Sequence, residues 1–551
     1  MYAKIQLKKL LQAAISKLGL SWPEKANIEP PRDLKFGDLA CNVAMMLSKE
    51  AGKNPRQLAQ EIKEILSNLE SPLEKIEIAG PGFLNFTFKK FYWLEIINTI
   101  AEQKDRYGAS TFGKGAKVQI EYVSANPTGP LHIGHGRGAA VGDSLTRIMR
   151  FAGYDVSTEY YLNDAGIQMN ILGESTWIRY QNLCGVKASL EEHHYQGEYL
   201  IETARQVFEE HGRALLDMDL DHGISICRKM AMDVILNGIK EDLNLFRVEH
   251  QHWFSELSLI QKDKVSYTLE WLQDKDLAYE KDDALWFKST DFGDDKDRVL
   301  KKSDGSLTYF ASDIAYHQNK FDRGFELAVD IWGADHHGYV PRMKAAVQAL
   351  GKTENSLQVI LVQLVNLQRE GHQIAMSTRA GKFVTLKDVI QEVGIDACRF
   401  IFLSRKSDSH LDFDLEVVKR KTMDNPVYYV QYAHARICSL FAKAQEMGIT
   451  PPTDDTLVLN GLDTPEDIEL LKKLHDFPET VSSSATNLSP HYISFYLMDL
   501  AGCLHKYYTV HSVLKAESSE LIQARMTLFQ AVARVIRNGL NLLGVYAPEK
   551  M

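Results

Sequence analysis

Two histidines three residues apart, His132 and His135, follow a strand-like run and a turn dense in chain breakers. Residues at i and i+3 share one face of a helix. In a first helical turn they sit where backbone N–H groups lack partners and the dipole is positive, the end that attracts phosphate. Two imidazoles there can donate hydrogen bonds to a polyphosphate and to a pentavalent phosphorus during group transfer. Gly134 and Gly136 carry no Cβ, so a base or ribose can lie against the backbone. A second pair, Tyr309 and Asp313, is spaced by one helical turn. A phenol and a carboxylate so placed can grip a guanidinium, whose planar fork matches a carboxylate. Ordinary surface histidines are the plainer reading of the first pair, but that reading leaves the Pro-Thr-Gly-Pro turn and the flanking glycines unexplained. Asp313 as a helix cap is an open alternative for the second.

The elements that must position these groups can be read around them. Lys117 to Val123 alternates and is rich in β-branched residues, which predicts a strand. Asn126-Pro127 and Gly129-Pro130 break it. A helix is predicted from near Leu131 to Phe151, ended by Gly153, and a strand from Asp155 to Leu162. Strand, turn, helix, strand is the opening unit of a nucleotide-binding sheet. Two more buried strands are expected, Glu326 to Trp332 and Val359 to Val365. The first runs into Gly333-Ala-Asp335-His336-His-Gly, and loops at the C-terminal ends of parallel strands carry ligands. Asp335 is placed to take a ribose hydroxyl, and His336 to line the amino-acid or adenylate site.

The chain has 551 residues, enough for several domains, with 45% hydrophobic and 25% charged residues, as in a water-soluble globular protein. No run of about 18 apolar residues predicts a membrane span, and the amphipathic N-terminus lacks an apolar signal core. Cysteines 41, 184, 227, 398, 438 and 503 form no Cys-x-x-Cys pair, which argues against a zinc site or a disulfide framework and fits a reducing, cytoplasmic setting; no metal ligands are proposed. The net charge of −10 does not announce a nucleic-acid partner; one would need local basic patches on an acidic body.

Residues 1–105 read as a separate α/β domain: a first helix, a loop Pro30-Pro-Arg-Asp-Leu-Lys-Phe-Gly-Asp38, a helix from Leu39 to Lys49 capped by Asp38, another after Asn54-Pro55, and two strands around Gly80-Pro-Gly82. Residues 106–405 read as a parallel-sheet domain with a charged, mostly helical insertion at about 163–300. Residues 406–551 read as helices: 414–423, 427–447, 465–474, 481–488, 491–510 and 519–543. Within them Tyr429, Tyr432 and Arg436, and then Tyr508, form basic-aromatic clusters able to stack on unpaired bases. A helix-bundle core explains the same periodicity, and several of these tyrosines are expected to be core.

Glu121-Tyr-Val-Ser124-Ala125-Asn126-Pro127-Thr128-Gly129-Pro130-Leu131-His132-Ile133-Gly134-His135 resembles the first signature of the class I aminoacyl-tRNA synthetases and, in its extended form, the arginyl-tRNA synthetases. The resemblance covers essentially the whole chain. It implies a Rossmann-type catalytic domain with insertion, an N-terminal domain touching the tRNA elbow through residues such as Arg32 and Lys35, and an all-helical anticodon-binding domain. It implies ATP with Mg²⁺, L-arginine and tRNA-Arg as ligands, and a monomer. By the same resemblance His132 and His135 are catalytic, and Pro130, Leu131, Gly134, Gly333 and Asp335 bind ATP. Glu121, Ser124, Asn126, Tyr309, Asp313 and His336 bind arginine. Ala375-Met376-Ser377-Thr378-Arg379-Ala-Gly-Lys382 resembles the second signature, Lys-Met-Ser-Lys-Ser, with Ala375 and Thr378 in place of its lysines. Met376 and Ser377 would then face ATP, and Arg379 or Lys382 would supply the catalytic cation for the leaving pyrophosphate. The rival readings are a synthetase-like RNA-binding protein with weak or no catalysis, and a class I synthetase for another amino acid.

Overall fold

The computed structural model describes residues 2–31, 33–374 and 384–551. Its centre is a five-stranded parallel sheet in the spatial order Leu357–Val362, Leu327–Gly333, Lys117–Glu121, Asp155–Leu162, His252–Ser255. The chain order reverses between Lys117–Glu121 and Leu327–Gly333, so the crevice of a doubly wound sheet opens above those two strands. In register across the sheet, Glu121 faces Asp330 on one side and Glu159 on the other. Directly opposed residues project to the same face, so three carboxylates form one row. The helix Tyr309–Asp322 with the arginine that follows it lies against that row and supplies its cations.

The strand His252–Ser255 falls inside the span expected to be inserted, 163–300. Insertion proper comprises the helices Ile167–Leu183, Tyr199–His211 and Leu220–Leu245; a separate three-stranded antiparallel sheet follows at 278–301. Farther on, Leu411–Asp414, expected to begin a helix at 414, pairs in parallel with Val365–Arg369, so sheet structure continues past residue 405.

In the N-terminal part a four-stranded antiparallel sheet packs with three longer helices. The helix expected from Leu39 is instead a strand, Leu39–Cys41, paired with Leu84–Phe86, and a short helix Val43–Leu47. Asp38 therefore caps a strand: its carboxylate accepts the Phe88 N–H at 2.7 Å.

The C-terminal part is a helix bundle. Two helices expected at 465–474 and 481–488 are one, Pro465–Thr486, running through Pro478. A proline leaves the carbonyl four residues earlier without its helical donor; here the buried Tyr107 hydroxyl donates to Leu474 O at 2.7 Å. The bundle is stitched to the catalytic part by Arg399, fully buried, whose guanidinium donates to Phe246 O and Leu543 O, both at 2.9 Å, and pairs with Asp143. Arg247 adds a bond to Gly544 O at 3.1 Å and lies 3.6 Å above the Tyr546 ring. Among the described residues no helix is long and apolar enough to cross a membrane, and all six cysteines are free.

Candidate active site

The helix Ile133–Phe151 starts at the crevice with His132 as its N-cap. His132 Nδ1 accepts the Gly134 N–H at 3.1 Å, and His135 Nδ1 accepts the His132 N–H at 3.2 Å. Each ring thus spends its unprotonated nitrogen on the backbone and carries its proton on Nε2, available to a ligand oxygen. The rings stack at 3.6 Å. Burial holds the His132 pKa below its ordinary value; burial, then His132 itself, pulls His135 down to about 3. Both imidazoles are neutral donors at physiological pH. A Cβ on Gly136 would fall 2.5 Å from Leu386, which is why this helix face carries none. Leu386 N also donates to Leu131 O at 2.8 Å, and His132 bridges Thr385. Leu131 is fully buried behind the turn, and neither it nor Pro130, both expected at the ATP, lines the adjoining cleft.

The turn before the helix is strained. Val123 (φ +71°) and Ser124 (φ +39°) both lie in the left-handed region, costly for a β-branched residue. The strain places Ser124 Oγ so that it donates to Glu121 Oε1 at 3.0 Å and accepts the Tyr161 N–H at 3.1 Å. From the insertion, the Tyr199 hydroxyl donates to Thr128 O, bracing Pro127-Thr128-Gly129. Asn126 donates to Gln168 at 2.8 Å and accepts from Asn163 at 3.0 Å; Ala125 O accepts the Tyr160 hydroxyl at 2.9 Å.

Next to this turn a cleft of about 670 Å³ opens between the sheet and the helix Tyr309–Asp322. Glu121, Ser124, Asn126, His132, Gly134, His135, Asp313, Gly333, Asp335 and His336 all line it. Tyr309 does not: it is 65% exposed, beside Gly166. The phenol on Asp313 is that of Tyr339, which donates to Oδ2. Burial raises the Asp313 pKa against that bond. Glu256, also buried, is pushed up to about 7 by burial and then by Asp313 and Asp164. Beneath them Lys320 reaches Glu121 Oε2 at 2.7 Å and Asp330 Oδ1 at 2.8 Å, and His317 Nε2 lies 2.9 Å from Asp330 Oδ2. Carboxylates outnumber the fixed cations at this end, which suits a cationic ligand. Asp335 and His336 stand exposed at the rim.

Sequence reasoning missed Tyr339, Glu256, His317, Lys320 and Asp330. One signal was available: Asp313, His317 and Lys320 are spaced by four and three, one helical stripe. Met376, Ser377, Arg379 and Lys382, with Ala375 and Thr378, lie outside the described residues, as does Arg32. Lys35 pairs with Asp33 at 2.8 Å. In the bundle, Tyr429 and Tyr432 pack against His505 with ring centres 4.6 and 5.8 Å away, and Arg436 lies 3.9 Å over Tyr508. All four are half-buried. Tyr507, by contrast, is core, its hydroxyl donating to Asp467 at 2.7 Å. One cluster of metal-ligand types, Glu174, His193 and His194, lies in the insertion. His194 Nδ1 accepts the Glu191 N–H at 2.9 Å, and its Nε2 lies 3.6 Å from a Glu174 carboxylate oxygen.

Residues 96–437 match the family described as tRNA synthetases class I (R), catalytic domain; residues 5–88 match the arginyl tRNA synthetase N terminal domain; residues 430–551 match the DALR anticodon binding domain. The chain is 57% identical to an arginine–tRNA ligase of Nitratidesulfovibrio vulgaris and 58% identical to one of Solidesulfovibrio magneticus, in each case over all of both chains. The fold is similar to the Thermus thermophilus arginyl-tRNA synthetase structure, with a TM-score of 0.76 at 22% identity, covering all of both chains. With catalytic, N-terminal and anticodon-binding parts in this order, the chain belongs to the arginyl-tRNA synthetases of class I.

Proposed function

We infer that the chain is an arginine–tRNA ligase. The observation that carries this reading is the crevice itself: neutral, helix-capping imidazoles at one end and a buried carboxylate set at the other. ATP lies along His132, Gly134 and His135, with Gly333 and Asp335 toward its ribose; Mg²⁺ enters as the ATP complex. Arginine lies toward Asp313, its α-ammonium near Glu121 and Ser124 and its carboxylate near Asn126, with His336 at the rim. An oxygen of the arginine carboxylate attacks the α-phosphorus in line, a P–O bond forms, and the bond to pyrophosphate breaks. The Nε2–H groups of His132 and His135 donate to phosphate oxygens as charge builds. Arg379 or Lys382 neutralises the leaving pyrophosphate. The 2′-hydroxyl of the terminal adenosine of tRNA-Arg then attacks the arginyl carbonyl, and AMP leaves. Positioning and charge stabilisation carry the rate, since no protein atom bonds to the substrate. Lys35 and Arg32 face the tRNA elbow; Tyr429, Tyr432, Arg436 and Tyr508 face the anticodon loop. The protein acts as a cytoplasmic monomer.

The test is aminoacylation of total tRNA with ATP and Mg²⁺, one amino acid at a time. Charging with arginine alone is expected. Tight tRNA binding without charging would favour the non-catalytic reading, for which Ala375 and Thr378 in the second signature are the supporting observation. Charging with a different amino acid would overturn the assignment of the carboxylate end.

A further inference from the structure

The row Asp330–Glu121–Glu159 puts three carboxylates side by side on adjacent strands, almost wholly removed from solvent. Like charges so placed drive proton uptake unless cations balance them. Glu159 has its own partners: Arg323 grips it at 2.6 and 2.9 Å, and the Tyr316 and Gln119 side chains donate to it. Lys320 is the cation left for the other two, 0% exposed and bonded to both. Burial works against its charge, and Asp330 and Glu121 outweigh burial, so it stays protonated. Glu121 is the member of the row with a free task. Its Oε2 is fixed by Lys320, while Oε1 points to Ser124 Oγ at the cleft wall.

Building on the arginine reading above, we propose that Lys320 is a positioning residue of the amino-acid site: by binding Oε2 of Glu121 it fixes that side chain and balances the crowded row, with Oε1 turned outward for the substrate's α-ammonium. Removing Lys320 leaves Glu121 and Asp330 as buried neighbours that share a proton. Glu121 is then drawn toward Asp330 and half-neutralised, and arginine can bind only by expelling that proton. The other groups facing this point are Asp313, Tyr316 and His317 from the same helix, Arg323 just after it, Glu159 and Tyr161 from the next strand, and beyond them Glu256 and Asp164.

The test is a cycle of Lys320→Met, Glu121→Gln and the double variant, read as KM for arginine and for ATP in pyrophosphate exchange with tRNA present, from pH 6 to 9. Lys320→Met is expected to raise the arginine KM about thirtyfold or more. It should leave the ATP KM within about twofold and make the fall of arginine KM with rising pH steeper than in the parent. The double variant has the parent's net charge in the row, so it is the form best able to fold. It should bind arginine no worse than Glu121→Gln alone, because Lys320 acts through Glu121. A further loss in the double variant, or equal losses for arginine and ATP with an unchanged pH profile, would reduce Lys320 to a packing residue and overturn the proposal. A parent enzyme that fails to charge arginine would instead defeat the functional reading beneath it.

Discussion

The nucleotide end of the crevice rests on backbone amides and neutral imidazoles drawn from consecutive residues, His132 to Gly136, whereas the arginine end is assembled from charges far apart in the chain. Lys320 meets Glu121 across 199 residues, and Arg323 meets Glu159 across 164. Each construction suits its ligand. A triphosphate brings its own charge and must release most of it as pyrophosphate, so uncharged donors with fixed dipoles bind it without holding the product. A guanidinium keeps its charge throughout, so buried carboxylates can remain ionised beside it. Neutral ends and charged ends also answer differently to mutation and pH.

The largest break in that division is expected from Asp313→Asn, which leaves the arginine charge unmatched in a buried site. The kcat/KM for arginine should fall on the order of 10³, with the KM for ATP unchanged. A comparable loss for ATP would mean that the two ends are not separate. Next, His135→Ala should lower the rate of adenylate formation on the order of 10² while arginine and tRNA affinities hold within about twofold. Pyrophosphate exchange alongside a filter-binding assay separates that result from misfolding, which would weaken all three. Third, Glu256 sits near pKa 7, and a bound cation favours its ionised form. The arginine KM should therefore fall as pH rises from 6 to 8, by up to about tenfold, and Glu256→Gln should flatten the profile. The ATP KM should stay level over that range, since His135 titrates near 3. The smallest effect concerns stability. Below about pH 6.5 the unfolded chain takes up a proton that folded His135 refuses, so stability is lost as pH falls through that window. His135→Asn, which keeps a side-chain acceptor for the His132 N–H, should remove about 1–2 °C per pH unit from the acid limb of the melting curve.

The same division governs what could be read from the residues alone. The phosphate-binding turn is local, so its strand, breakers, histidines and helix were legible at once. Tyr309 paired with Asp313 by helical spacing, yet the phenol that reaches Asp313 comes from Tyr339, supplied by the loop after the next strand, and spacing within one helix says nothing about a neighbouring loop. Lys320 and Arg323 carry no local signal of Glu121 and Glu159, because these carboxylates lie on strands far away in sequence. Short strands were hidden for a related reason: His252–Ser255, Leu39–Cys41 and Leu411–Asp414 are too brief for a periodic signal, and pairing partners distant in sequence decide their state. At Pro478 a local helix-breaking rule lost to a hydroxyl from Tyr107, which reaches Leu474 O across 367 residues.

Arg399 also sets a schedule. Its guanidinium is buried between Phe246 O, already synthesised, and Leu543 O, which follows 144 residues later. At translation speeds of about 5–20 residues per second, the catalytic body waits on the order of 10 s for the carbonyl that completes it. During that interval a charged group destined for the interior has Asp143, the Ser144 hydroxyl and one carbonyl to meet it, so the finished interface forms last, when the bundle arrives. A ribosome that stalls before residue 543 releases a chain whose nucleotide turn is present but whose body has not closed, and a cell's proteases would meet it in that unfinished state.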